Sequence, residues 1–280
     1  MYRGKTISLS FPPFTPWVKR IVIACAGIYF LQVVLGTVAP RLGFGAFLLD
    51  NFGLIPRAVM HGYVWQLVTY SLLHGGLWHV LTNMLTLWMF GSQEEQDWGS
   101  RRFIEFYLFC VVGAALVTMG VAYIGWGMTP DIPTVGASGG IYGLLIAFGM
   151  LYGDRELFLF PIPVAIKAKY LVGILIFIVL ISAFQPSQGG VANFAHLGGA
   201  LFGFLYLKLL PRRGIGLAAS EKYFGLRNSY YRWKRKRAGK KFEVYMRDHD
   251  RKVTFDEHGN YVPPDENDKT NGGSKSGWVN

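Results

Sequence analysis

Charged side chains vanish from five long stretches of this chain: no Asp, Glu, Lys or Arg falls in 21–40, 58–93, 106–130, 132–153 or 170–207. A helix needs roughly 20 apolar residues to cross a hydrocarbon core about 30 Å thick. Stretches 58–93 and 170–207 are too long for one helix each. The first reads as an interfacial segment joined to a helix starting near Val64. The second is broken at Gln185-Pro186-Ser187-Gln188-Gly189-Gly190, a helix-stopping sequence. The pattern therefore predicts six membrane helices, near 18–38, 64–90, 103–126, 137–153, 165–185 and 191–210. A soluble core could not accommodate it without large exposed apolar patches.

Three segments outside those helices carry a reading of their own. Residues 1–17 form a short leading segment. Residues 41–62 mix Leu42, Phe44, Phe47, Phe52 and Ile55 with glycines, which predicts a first loop half-inserted in the outer interface. The tail 212–280 alternates apolar and polar residues over 242–262, as a small hairpin would with His258-Gly259-Asn260 near its turn. From Pro263 the composition predicts disorder.

Charge adds orientation. The 280 residues carry a net charge of +11, with 51% hydrophobic residues. Arg3, Lys5, Lys19 and Arg20 precede the first helix, Arg101 and Arg102 fall between the second and third, and Arg155, Lys167 and Lys169 fall between the fourth and fifth. Arg212 and Arg213 follow the sixth, whereas the alternate loops hold only Arg41 and Arg57. The positive-inside rule then places both termini in the cytosol. Only three residues separate Lys19-Arg20 from Ala24-Cys25-Ala26, too few for the apolar core of a cleavable signal. Cys25 and Cys110 both fall inside helices and read as buried reduced thiols. The tail from Arg212 holds 16 of the 28 basic residues, interleaved with Tyr230, Tyr231 and Trp233, which suits contact with anionic headgroups. No nucleic-acid motif accompanies them, so no nucleic acid is expected.

Polar groups in these helices are few, and polar side chains at membrane depth mark function more often than packing. Ser138 opens the fourth helix within Gly136-Ala137-Ser138-Gly139-Gly140, and His196 lies in the sixth within Ala195-His196-Leu197-Gly198-Gly199. At 1.5 Å rise per residue, Ser138 lies roughly 25 Å above Arg155 and His196 roughly 24 Å above Arg212. His79 lies about 22 Å above Glu94, with Asn83 one turn deeper. Four polar groups from three helices thus share a layer. Gly139 and Gly143, and likewise Gly199 and Gly203, form G-x-x-x-G pairs that let two helix backbones approach in lipid. If the fourth and sixth helices cross there, serine and histidine come within hydrogen-bond reach.

A serine hydroxyl is a weak nucleophile until a base takes its proton, and neutral imidazole suits that task. Free N–H groups at a helix N-terminus, with His79 and Asn83, could hold an oxyanion. No acidic residue lies at that level, so a Ser–His dyad is expected rather than a triad. Gly136-x-Ser138-x-Gly140 also fits the nucleophile elbow of α/β-hydrolases, but that motif needs a strand before the serine and here a proline-containing loop precedes it. His74 and His79, at i and i+5, share a helix face poorly and have no Cys or carboxylate beside them, so no metal is expected.

His74…His79…Asn83 in the second helix, Gly136-Ala137-Ser138-Gly139 opening the fourth, and Ala195-His196-Leu197-Gly198-Gly199-Ala200-Leu201-Phe202-Gly203 in the sixth together resemble the rhomboid intramembrane serine proteases, over about 60–210. The resemblance implies an all-α membrane protein, a six-helix bundle with an interfacial first loop and a cytosolic tail. It implies Ser138 as nucleophile, His196 as base and acid, and His79, Asn83 and the Ser138 N–H as oxyanion hole. Tyr142 matches the ring that packs on the histidine, His74 belongs to the polar neighbourhood, and Glu95 with Gly99-Ser100 fits the inner loop. Implied substrates are transmembrane helices cut near their outer end, without a cofactor, in a bacterial inner membrane. One departure stands out: rhomboids commonly carry Trp-Arg before the second helix, and here Gln66 follows Trp65. The alternatives are a catalytically inactive binder of membrane helices on the same scaffold and, more weakly, a solute transporter, for which no inverted repeat is evident.

Overall fold

The computed structural model describes residues 12–125, 129–158, 165–183, 190–209, 215–248, 254–255, 257 and 261–262. They fall into two compact units, 1–214 and 215–280. In the first unit helix α1 (Pro16–Val38) begins with proline at its first position, where the missing N–H and fixed φ suit a helix start. Its N-terminus is closed from afar. Trp17 and Val18 donate their N–H groups at 3.0 Å to the Glu95 carboxylate. A carboxylate there satisfies orphan donors and complements the helix dipole.

After α1 the chain turns through short helices α2 (Phe44–Phe52), α3 (Pro56–Met60) and α4 (Gln66–Thr69). The single span expected at 64–90 is instead divided. A helical turn ends at Leu72, Leu73–Gly76 is not helical, and α5 (Leu77–Thr86) starts afresh. Gly75-Gly76 explains the break, since glycine weakens helix more than any residue except proline. His74 therefore precedes the helix that carries His79 and Asn83. A π-turn at Leu87–Gly91 then leads into α6 (Ser92–Trp98) without interruption. Gly99, at φ +79°, reverses the chain into α7 (Ser100–Ile124). At this corner the Ser100 hydroxyl donates to Glu95 at 2.6 Å, so one carboxylate ties α1, α6 and α7 together.

Helices α8 (Ser138–Leu151), α9 (Ala168–Ala183) and α10 (Gly190–Leu209) complete the unit, with a small antiparallel pair, β1 (Glu156–Phe158) and β2 (Ala165–Lys167), between α8 and α9. The helix-stopping sequence expected between the last two helices falls mostly outside the described residues. Helix α7 is the central post: Phe103, Phe106, Cys110, Val111, Ala114 and Ala115 are fully buried against its neighbours, above all α10 and α8. Tyr206 of α10 donates to Glu105 of α7 at 2.7 Å. By contrast Phe30, Trp78, Phe177 and Ile178 stand exposed on the outside. Helices α1 and α7 are each long and apolar enough to cross a membrane, while α8 and α9 are shorter apolar helices. Cys25 and Cys110 are buried free thiols.

In the second unit α11 (Ile215–Arg247) runs 33 residues, and β3 (Thr254–Phe255) pairs with β4 (Tyr261–Val262). The hairpin expected from 242 thus gives way to helix as far as Arg247. Residues 242–247 continue a run rich in Lys and Arg, and adding to an existing helix is easier than starting a strand. His258-Gly259-Asn260 and the segment from Pro263 lie outside the described residues.

Candidate active site

Ser138 is the first residue of α8, and the approach to it is shaped by Gly136. That residue sits at φ +127°, a region L side chains rarely adopt, and donates its N–H to the Tyr70 carbonyl at 3.0 Å. A Cβ there would lie 2.8 Å from His79 Nε2 and 3.5 Å from Ser138 Oγ. The serine hydroxyl and the His79 imidazole therefore flank one empty spot that only glycine leaves free. Ser138 is buried to 9% exposure, and its N–H belongs to the first turn of α8, where no helical carbonyl can accept it.

The glycines bring α8 and α10 together. A Cβ on Gly199 would fall 1.8 Å from the Gly139 carbonyl oxygen, and one on Gly203 would fall 2.8 Å from Gly143 Cα. At that crossing a Gly139 Cβ would lie 3.6 Å from the Ala195 carbonyl. Ser138 and His196 each adjoin a residue of this contact. The His196 ring stacks on Tyr142, one turn beyond Ser138, with centroids 4.4 Å apart and planes 18° from parallel. No hydrogen bond joins Ser138 Oγ to His196 among the described residues, and His196 Nδ1 is buried without a partner. Catalytic hydrogen bonds are often long before substrate arrives and tighten in the reacting complex.

From α5, His79 borders the spot that Gly136 leaves free, and Asn83 lies one turn further on the same helix. The Asn83 amide is buried with Nδ2 unpartnered among the described residues, a donor with nothing to bond. His74, buried at 2%, packs edge-on against His79 at 5.1 Å between ring centroids. Donors of this kind, a side-chain amide, an imidazole and a helix-terminal N–H, can hold an oxyanion where they converge.

The sequence singled out neither Tyr70 nor the loop that carries it. The Tyr70 hydroxyl, buried against α8, donates to the Val111 carbonyl at 2.8 Å. Leu54 and Thr134 exchange two N–H···O=C bonds of 2.9 Å, pinning the first loop to the strand-like run that leads into Ser138. Gln66, the departure noted after Trp65, is fully buried. Its Oε1 accepts from the Ile55 N–H and its Nε2 donates to the Asp50 carbonyl, both at 3.0 Å. Only its place beside Trp65 hinted at this role, because an uncharged residue in an uncharged run carries no pattern.

Residues 61–213 match the Rhomboid domain. Over 185 residues the chain is 31% identical to Rhomboid protease GluP of Bacillus subtilis, covering 60% of this chain and 33% of that protein. It is 34% identical over 168 residues to RHOMBOID-like protein 1 of Arabidopsis thaliana (59% and 40%), and 27% over 197 residues to Rhomboid protease AarA of Providencia stuartii (66% and 69%). The chain thus spans only a third to two fifths of the length of the first two relatives.

Proposed function

This chain belongs to the rhomboid family, an integral membrane protein, and from that premise we propose that it is an intramembrane serine endopeptidase cleaving transmembrane-helix substrates near the outer membrane face. The observation that supports the reading is the glycine crossing of α8 and α10, which brings the helix that starts at Ser138 against the helix that carries His196, whose ring stacks on Tyr142 of α8.

In this mechanism His196 takes the proton of Ser138 Oγ as the oxygen attacks the scissile carbonyl carbon. The carbonyl oxygen, now negative, is held by the Ser138 N–H, His79 and Asn83. Collapse breaks the C–N bond, and the imidazolium returns its proton to the leaving amine. Water then adds to the acyl carbon as His196 takes its proton, and collapse of this second intermediate breaks the C–Oγ bond, releases the carboxylic acid product and returns the proton to Ser138 Oγ. Tyr142 holds the imidazole by stacking and Gly136 keeps space open beside the nucleophile. We place six membrane spans in the first unit, both termini in the cytosol and the protein in a bacterial inner membrane; the basic-residue asymmetry supports that orientation. No cofactor is required.

Purified protein in proteoliposomes should cleave a single-span substrate with a helix-destabilising outer end, and Ser138→Ala should not. Intact substrate with wild type, together with its retention on the protein, would favour the non-catalytic binder instead.

A further inference from the structure

Helix α11 has no part in that chemistry, yet its surface is specialised. Between Ile215 and Arg247 it carries ten Lys or Arg against two Glu. Tyr223, Leu226, Tyr230 and Trp233 recur at alternating steps of three and four residues, which sets them on one helix face. All four are exposed, Leu226 at 67% and Trp233 at 54%. The Tyr230 and Trp233 rings lie 6.1 Å apart, so they project to the same side. Guanidinium groups frame the aromatics: Arg237 lies 5.4 Å from the Trp233 ring centre and Arg227 5.7 Å from Tyr231.

We propose that α11 lies along the headgroup surface of an anionic lipid bilayer, with Tyr223, Leu226, Tyr230 and Trp233 set into the interface and the basic side chains on lipid phosphates. Three observations select that occupant. The excess of positive charge calls for a dense negative surface and repels a second copy of the same helix. Tyr and Trp have an apolar body and a polar tip, and they settle where hydrocarbon meets water. Long Lys and Arg stems cover apolar surface while their heads stay wet, which suits a helix lying flat rather than crossing. Chain connectivity supplies the proximity. Ile215 follows Leu209, the last residue of α10, by six positions, a reach of at most about 20 Å. α11 therefore starts within that distance of where the chain leaves the bilayer, and tethering raises its effective concentration there. The inference rests on α10 being a membrane helix and not on proteolysis.

The test is hydrogen–deuterium exchange of the full chain, carrying Ser138→Ala so that activity is irrelevant, in nanodiscs of phosphatidylcholine alone or mixed with phosphatidylglycerol. Amides of 223–241 should exchange at least tenfold more slowly with the anionic lipid. Substituting Lys234→Gln, Arg235→Gln, Lys236→Gln and Arg237→Gln together, which leaves helix propensity nearly unchanged, should remove most of that slowing. Equal exchange in both discs would overturn the proposal. So would slowing produced by added polyuridylate RNA but not by phosphatidylglycerol, which would assign the surface to nucleic acid.

Discussion

Gly199 of α10 packs directly on the Gly139 carbonyl of α8, so close that a methyl group there would sit 1.8 Å from the oxygen and 2.6 Å from its carbon. Backbone on both sides leaves nothing flexible to move aside. In lipid, where apolar side chains gain little from leaving their solvent, such close approach is itself the source of helix association. The contact also sets the level at which Ser138 and His196 stand, so packing and chemistry depend on the same two residues.

Gly199→Ala should therefore separate the helices, lowering stability by about 1–3 kcal/mol and removing most activity together. Gly173→Ala on α9 is the control, because a Cβ there meets nothing within 4 Å. Thermal unfolding in detergent, read beside substrate cleavage, should show the first variant impaired in both and the second in neither.

Asn83→Ala removes a donor that has no ground-state partner among the described residues, so its loss should act on the transition state. We expect kcat to fall about 10²–10³-fold with KM little changed and thermal stability preserved. A fall confined to KM would move Asn83 from oxyanion binding to substrate docking.

Gln66→Ala would leave the Ile55 N–H and the Asp50 carbonyl without their buried partner. An unsatisfied buried group is destabilising by about 1–3 kcal/mol, and here the loss falls on the loop bonded to Thr134, four residues before Ser138. Protease nicking within 41–62 should accelerate in this variant before global unfolding changes.

Much of this was legible beforehand because lipid imposes a strict grammar. Charge-free runs of about 20 residues mark helices, glycines at four-residue spacing mark their crossings, and the few polar residues left over mark chemistry. The α8 start at Ser138 and the α8–α10 crossing follow that grammar, whereas the Tyr142–His196 stack was expected only from the resemblance to rhomboids. What escaped it obeys local rules instead. The Gly75-Gly76 break divides a run without a single charge, and Tyr70, Thr134 and Gln66 act through one or two hydrogen bonds each to distant segments. No pattern pointed to α11, because its basic run has no apolar stripe facing a core, and Phe242-Glu243-Val244 at its end reads as strand until the helix before it is counted.

Glu95 connects the fold to pH. Burial pushes its carboxyl upward, but hydrogen bonds from Ser100 and from the Trp17 and Val18 N–H groups outweigh this and hold it below the ordinary glutamate value of 4.5. A depressed folded-state value means stability that is complete above the unfolded value and lost as pH falls through the folded one. Melting temperature should therefore drop as the solution is acidified below about 4.5. Glu95→Gln should be less stable at neutral pH and flatter across that acid range.

The most direct measurement is covalent capture of the nucleophile by a fluorophosphonate probe, with the adduct mapped by mass spectrometry. The account predicts one adduct, on Ser138, abolished by Ser138→Ala and reduced at least tenfold by His196→Ala while the protein stays folded. Labelling of equal strength in the Ser138→Ala protein, or full labelling without His196, would contradict it.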